Sequence, residues 1–177
     1  QVISAEFDRV LAWSLGQNLD YRDLSRMEVR KREVEGSDFR EGRPTVAFAS
    51  SGIFEMARVS DILSVGIEPV GGSFNLSQYS EWLNHRSQLA KKTLPIWASV
   101  QTEIGQTVRM QTAALATRVP PMPLEATQIK YTAYEAIAGG ARGLRFLSRS
   151  RLDAQNPVSN LRSLTLRWLN AHLQQLE

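Results

Sequence analysis

The chain contains no cysteine, which excludes disulfide bridges, thiol nucleophiles, zinc–thiolate sites and iron–sulfur clusters together. Histidine is scarce as well. The two present, His85 and His172, sit in segments with helical spacing far from strand ends, which favours packing or surface roles over catalysis. No apolar run approaches the roughly 18 residues needed to cross a bilayer, and the opening QVISAEFDRV has neither the basic nor the apolar region of a signal peptide. A concentration of charge of one sign is also missing: the net charge of +3 is dispersed among acids, which argues against a nucleic-acid partner. Linker-like and low-complexity tracts are absent. What remains is an ordinary globular composition, 42% hydrophobic and 22% charged over 177 residues, the size of one domain or part of one. A chain that opens on Gln1 is expected to continue a longer one, with a leader or a larger N-terminal portion before it.

Apolar runs of strand length recur along the sequence: VLAWSLG (10–16), PTVAFAS (44–50), ILSVGIE (62–68), LPIWASV (94–100) and GLRFLS (143–148). Each is nearly continuous, as expected of strands in a parallel sheet covered on both faces. Helical patterns lie between them. YRDLSRMEVRKREVEG is charged, with a thin apolar face of Leu24, Met27 and Val34, and SGIFEMARVSD has room for about two turns. Tyr79, Trp82, Leu83, Leu89 and Ala90 recur at helical spacing after a capping-box-like Asn75 and Gln78. PLEATQIKYTAYEAIAGG runs from Pro123 to a Gly139-Gly140 stop, and the last segment starts at Asn156 or Ser159 with Leu161, Leu164 and Trp168 on one face. The alternation predicts an α/β fold with a parallel sheet, either open and doubly wound or part of a barrel.

Two motifs have plain explanations. AGGARG (138–143) follows a helix and precedes a strand, the reverse of a dinucleotide-binding loop, so it reads as a helix stop. Asn75-Leu76-Ser77 matches a glycosylation sequon but is accounted for by helix capping. Neither a metal nor a cofactor is therefore expected.

Ligands in parallel α/β folds bind outside the C-terminal ends of the strands. The polar residues there are Gln17, Asn18 and Asp20; Ser50 and Ser51; Glu68; Gln101, Thr102 and Glu103; and Ser148, Arg149 and Arg151. Asp20, Glu68 and Glu103 allow paired-carboxylate chemistry, one group donating a proton while another attacks or activates water. Arg149 and Arg151 are suited to an anionic group, or to pairing with nearby acids.

The segments LAWSLGQNLD, PIWASVQTEIG and QIKYTAYEAIAGGARGLRFLSRSRL together resemble the later part of a glycoside-hydrolase-like (β/α)8 barrel. The phrase Y-x-A-x-A-x-G-A-x-G is carried here by Tyr134, Ala136, Ala138, Gly140, Ala141 and Gly143. The resemblance implies that the five runs are strands four to eight of a TIM-type barrel, residues 1–177 being its C-terminal part, with the missing N-terminal strands as partner. It places Glu103 as nucleophile at the end of strand seven, with Glu68 or Asp20 as second carboxylate. Trp13, Gln17, Asn18, Gln101 and Arg149 become substrate-binding residues. The retaining clan has an Asn-Glu pair after strand four, whereas here Leu19 follows Asn18, so the motif is incomplete. The implied function is carbohydrate-related, as a retaining glycosidase or as a sugar cleft without turnover, in a secreted or cell-envelope bacterial protein. The alternative is a self-contained doubly wound domain that binds a ligand or partner. Strand order separates the two.

Overall fold

Runs of apolar residues too short for helices pair side by side here because each is followed by a helix that returns the chain to the same end of the sheet. The computed structural model describes residues 10–38, 40, 42–90, 93–115 and 123–175; the N-terminal stretch read for a leader lies, up to residue 9, outside them. In order, the elements are β1 (Trp13–Leu19), α1 (Leu24–Ser37), β2 (Thr45–Ala49), α2 (Ile53–Met56), β3 (Ile62–Val65), α3 (Tyr79–Leu89), β4 (Ile96–Gln101), α4 (Gln106–Leu115), α5 (Ala126–Ala138), β5 (Gly143–Leu147) and α6 (Pro157–Gln174). The five strands form one sheet in the order β1-β2-β3-β4-β5, and every pairing is parallel. Strand neighbours follow sequence order throughout, with no reversal. That removes the doubly wound alternative and matches an arc of a TIM-type barrel.

Side chains alternate between the two faces of the sheet. On one face Leu15, Leu19, Ala47, Leu63, Val65 and Ala98 pack against Met27, Met56, Tyr79, Leu83 and Ala136 of the helices. Val100 continues that face into a second cluster with Ile129, Ala133, Leu166 and Leu169. The helix residues of both clusters meet this one face. The other carries Phe48, Ser64, Trp97, Ser99 and Arg145, a more polar set. Helices on one face only is the arrangement of a barrel, the second of the two folds that the alternation allowed.

The sheet is strongly curved. Across four strand spacings β1 and β5 would be about 19 Å apart if flat, more than an arginine and a glutamine together can reach. Yet Arg145 Nη2 of β5 donates to Gln17 Oε1 of β1 at 3.0 Å, so the polar face is concave. Among the described residues β1 and β5 each have one strand neighbour. Burial follows from this: β3 is buried throughout, whereas all five residues of β5 are only partly buried.

Three local expectations differ from what is found. β1 begins three residues later than the first apolar run, so Gln17 and Asn18 lie within the strand. Register shifts against β2 occur between Ser14 and Gly16 and again between Gly16 and Leu19, and Asn18 has φ 51°, a left-handed conformation that asparagine tolerates. The extra residues break the alternation and leave Gln17 and Asn18 both exposed. The segment after Gly105, for which no helix was expected, forms α4, a helix with no buried residue. Finally, α6 is turned away from its apolar stripe: Leu164 is 63% and Trp168 50% exposed, while Ser159, Arg162 and Thr165 join Leu166 and Leu169 inside.

Candidate functional site

The loops after β3, β4 and β5 converge at the C-terminal ends of the strands. Glu103, two residues beyond β4, points its carboxylate toward the β5–α6 connection. Its Oε1 accepts from Ser148 Oγ at 3.2 Å and Ser150 N at 3.1 Å, and also from Ser150 Oγ and Arg162 Nη1. Burial opposes ionisation of this carboxyl, but the Ser150 hydrogen bonds, the Arg162 charge and Ser148 outweigh it, so its pKa lies below the ordinary glutamate value. The pair is buried: the Arg162 side chain is 4% and the Glu103 side chain 11% exposed.

Arg162 reaches this position because α6 begins at an asparagine cap, Asn156 Oδ1 accepting from Ser159 N at 2.9 Å, which sets the helix rotation. Its Nη2 donates to the carbonyls of Ser150 at 3.2 Å and Arg151 at 3.3 Å, and Nη1 to Ser150 Oγ at 3.2 Å. The guanidinium thus fastens α6 to the loop before it and to the end of β4. Its Nε is buried with no hydrogen-bond partner among the described residues. A cavity of about 180 Å³ adjoins the pair, lined in part by Thr102, Glu103, Ile104, Ser150, Arg162 and Thr165.

The other two carboxylates are held by arginines of their own. Glu68 pairs with Arg149 on the open rim, and Gly105 lies so close that a Cβ there would stand 2.2 Å from Glu68 Oε2. Asp20 caps a short 3-10 turn, Tyr21–Asp23, accepting from Arg22 N at 2.8 Å and from the Arg22 guanidinium. Those Arg22 hydrogen bonds lower its pKa. Gln101 is 2% exposed, and its amide is consumed in structure: Oε1 accepts from Val70 N at 3.0 Å while Nε2 donates to Val70 O at 3.1 Å and Glu103 O at 2.8 Å. It ties the loop after β3 to the loop after β4. Trp13 opens β1, at the opposite end of the strand from the rim, and its indole N–H donates to Asp38 Oδ2 at 2.6 Å.

Of the residues expected to line a site, Glu68, Glu103 and Arg149 are gathered at the rim, and Gln17 reaches the concave face, whereas Asp20, Trp13 and Gln101 are engaged in local structure. Sequence reasoning passed over Arg145. It occupies the middle of β5, with its guanidinium 3.9 Å from the centroid of the Phe48 ring and hydrogen-bonded to Gln17. Below it Trp97 lies against Gly143, where a Cβ would come within 2.6 Å of the indole. The signal was a lone arginine inside GLRFLS, where Gly143, Arg145 and Leu147 share one face and Leu144 and Phe146 the other. Arg162 and Ser150 were also passed over. Ser159, Arg162, Leu166 and Leu169 recur at helical spacing, a period hidden by the louder leucine stripe on the other side.

Among the described residues no three His, Cys, Asp or Glu side chains are grouped as a metal site, and no helix is long and apolar enough to cross a membrane. No protein-family description matches the chain, and no curated protein matches it significantly. Among solved structures, a protein from Bacteroides thetaiotaomicron assigned as an alpha-L-fucosidase is similar, with a TM-score of 0.57 and 10% sequence identity. The likeness covers 85% of this chain and 49% of the fucosidase chain, so this chain spans about half of that protein. At that identity the likeness concerns the fold alone, parallel strands alternating with helices as in part of a TIM-type barrel.

Proposed function

We propose that this chain is the C-terminal part of a (β/α)8 barrel, that further strands of the same protein complete it, and that its concave face binds carbohydrate without hydrolysing it. The observation that carries the reading is the state of the three candidate carboxylates: Asp20, Glu68 and Glu103 are each paired with an arginine, Arg22, Arg149 and Arg162 respectively. Retaining hydrolysis needs two carboxyl groups about 5 to 5.5 Å apart, one of them able to hold a proton near neutral pH. A glutamate whose pKa is lowered and whose charge is shared with a buried arginine is suited to holding loops together. Meanwhile the concave face offers the aromatic rings and polar groups that sugars use, in Phe48, Trp97, Gln17 and Arg145.

One detail favours turnover as a second reading. All the donors on Glu103 go to Oε1, and Oε2 has no hydrogen-bond partner among the described residues. A nucleophilic carboxylate would be held in this way, one oxygen fixed and the other free. The test is a panel of chromogenic α- and β-glycosides with the full chain and with Glu103→Gln, beside binding measurements on the matching oligosaccharides. Binding without release of chromophore supports the main reading. Turnover lost in the variant establishes the second, and absence of both binding and turnover removes the carbohydrate reading altogether.

A further inference from the structure

From the placement of Arg145 between Phe48 and Gln17 we infer that the concave face takes a sugar bearing a carboxylate, a uronic acid, with the Arg145 guanidinium on the acid group. The inference rests on the carbohydrate reading above and names the class of sugar. Among the described residues, Arg22, Arg149, Arg151 and Arg162 near the C-terminal ends of the strands are neutralised by Asp20, Glu68, Asp153 and Glu103. Among the described residues Arg145 has no acidic partner; its contacts are a neutral amide oxygen and an aromatic ring.

The local chemistry is specific. Contact with the Phe48 ring holds the guanidinium in place, and the hydrogen bond to Gln17 uses one of its five N–H groups, so a pair of donors remains for a carboxylate. Gln17 gives its amide oxygen to Arg145 and keeps its N–H2 for a neighbouring hydroxyl. The double irregularity in β1 places Gln17 on this face at the height of Arg145, which a regular strand would not do. Trp97, seated on Gly143 one layer below, supplies an apolar ring beneath the sugar. Partial burial also lowers the Arg145 pKa, though an arginine stays charged at any physiological pH, and that burial strengthens attraction to an anion.

The experiment is calorimetric titration of the full chain with galacturonate, glucuronate and mannuronate oligosaccharides, each beside its neutral methyl ester. The acid form of at least one is expected to bind about tenfold or more tightly than its ester, as a charge-assisted bidentate contact requires. High salt should erase that difference. Arg145→Gln should bring the acid down to the affinity of its ester while leaving the ester unchanged, and Arg145→Lys should fall between, since it keeps the charge and loses the fork. Equal affinity for acid and ester overturns the inference and leaves the carbohydrate reading standing. Failure of every acid and ester to bind removes both, and equal loss of acid and ester in Arg145→Gln assigns Arg145 to the architecture of the face instead.

Discussion

Arg145, in the middle of β5, and Arg162, on the helix that follows it, do opposite things. Arg162 is buried, meets a carboxylate, two carbonyls and two serine hydroxyls, and holds three segments together. Arg145 is half exposed on the concave face, stacked and oriented but unneutralised among the described residues. A buried charge must be compensated from within the chain, because leaving it alone in a low dielectric costs several kcal/mol. A half-exposed one can remain open to a ligand. Compensation, more than residue type, separates an arginine of the fold from an arginine of a site.

The largest effect expected from breaking this contrast is in stability. Arg162→Ala removes one partner of a buried pair and leaves Glu103 uncompensated, a loss of about 3 to 5 kcal/mol, a large part of what a small domain has. Arg145→Ala should cost about 1 kcal/mol or less, the value of an exposed stacking contact and one hydrogen bond. Urea denaturation of both variants checks the difference. Similar costs would mean that Arg145 is as structural as Arg162.

Glu103→Gln is expected to be the next largest, about 2 to 3 kcal/mol near neutral pH, because hydrogen bonds to a charged group are lost while the shape is kept. The pH dependence sharpens it. The folded pKa of Glu103 is depressed, so its contribution is fully present above the unfolded glutamate value of about 4.3 and is lost as pH falls through the lower folded value. The stability gap between the native protein and Glu103→Gln should be constant above about pH 5 and shrink as the solution is made more acid. A gap that stays constant into acid would show that folding leaves the Glu103 pKa unshifted, and one that widens would show that Glu103 is protonated in the fold.

The sequence revealed the alternation, the parallel sheet and most helix positions, because burial writes apolar runs and caps write small polar residues at fixed places. Asn156 is found at its cap and Gly139 at the end of α5, as read. The concave face was harder. In β5 only Arg145 departs from the apolar pattern, and in β1 the extra residues scramble the alternation that would have shown which side Gln17 takes. In α6 the leucine stripe suggested the wrong buried face, since the inward side carries Ser159, Arg162 and Thr165 to satisfy groups on another loop. The position of Glu103 after β4 was legible. Its partners were not, because Ser150 and Arg162 are 47 and 59 residues away and nothing local links them.

Gly143→Ala addresses the open side from beneath. The added methyl would meet Trp97 Cδ1 and Nε1 at 2.6 Å, so the ring must shift, a cost of about 1 to 2 kcal/mol for overpacking. If the concave face is the binding face, oligosaccharide affinity should fall as well, since Trp97 is the floor on which a sugar ring would rest. Stability lost with affinity unchanged would put the ligand elsewhere, the cavity beside Glu103 being the place to look.

Arg149→Ala should have the smallest effect and for that reason tests the argument most narrowly. Arg149 and Glu68 are paired, as Arg162 and Glu103 are, but at 45% and 38% side-chain exposure water already solvates both groups. Exposed pairs are worth about 0 to 1 kcal/mol, so denaturation should barely register the change, and added salt should shrink it further. Freed of its arginine, however, Glu68 becomes an uncompensated acid at the rim of the same face that carries Arg145. An acidic oligosaccharide should then bind more weakly while its neutral ester binds as before. A stability loss near that of Arg162→Ala would show instead that the rim pair is part of the fold's internal compensation, and that exposure alone does not divide the two kinds of arginine.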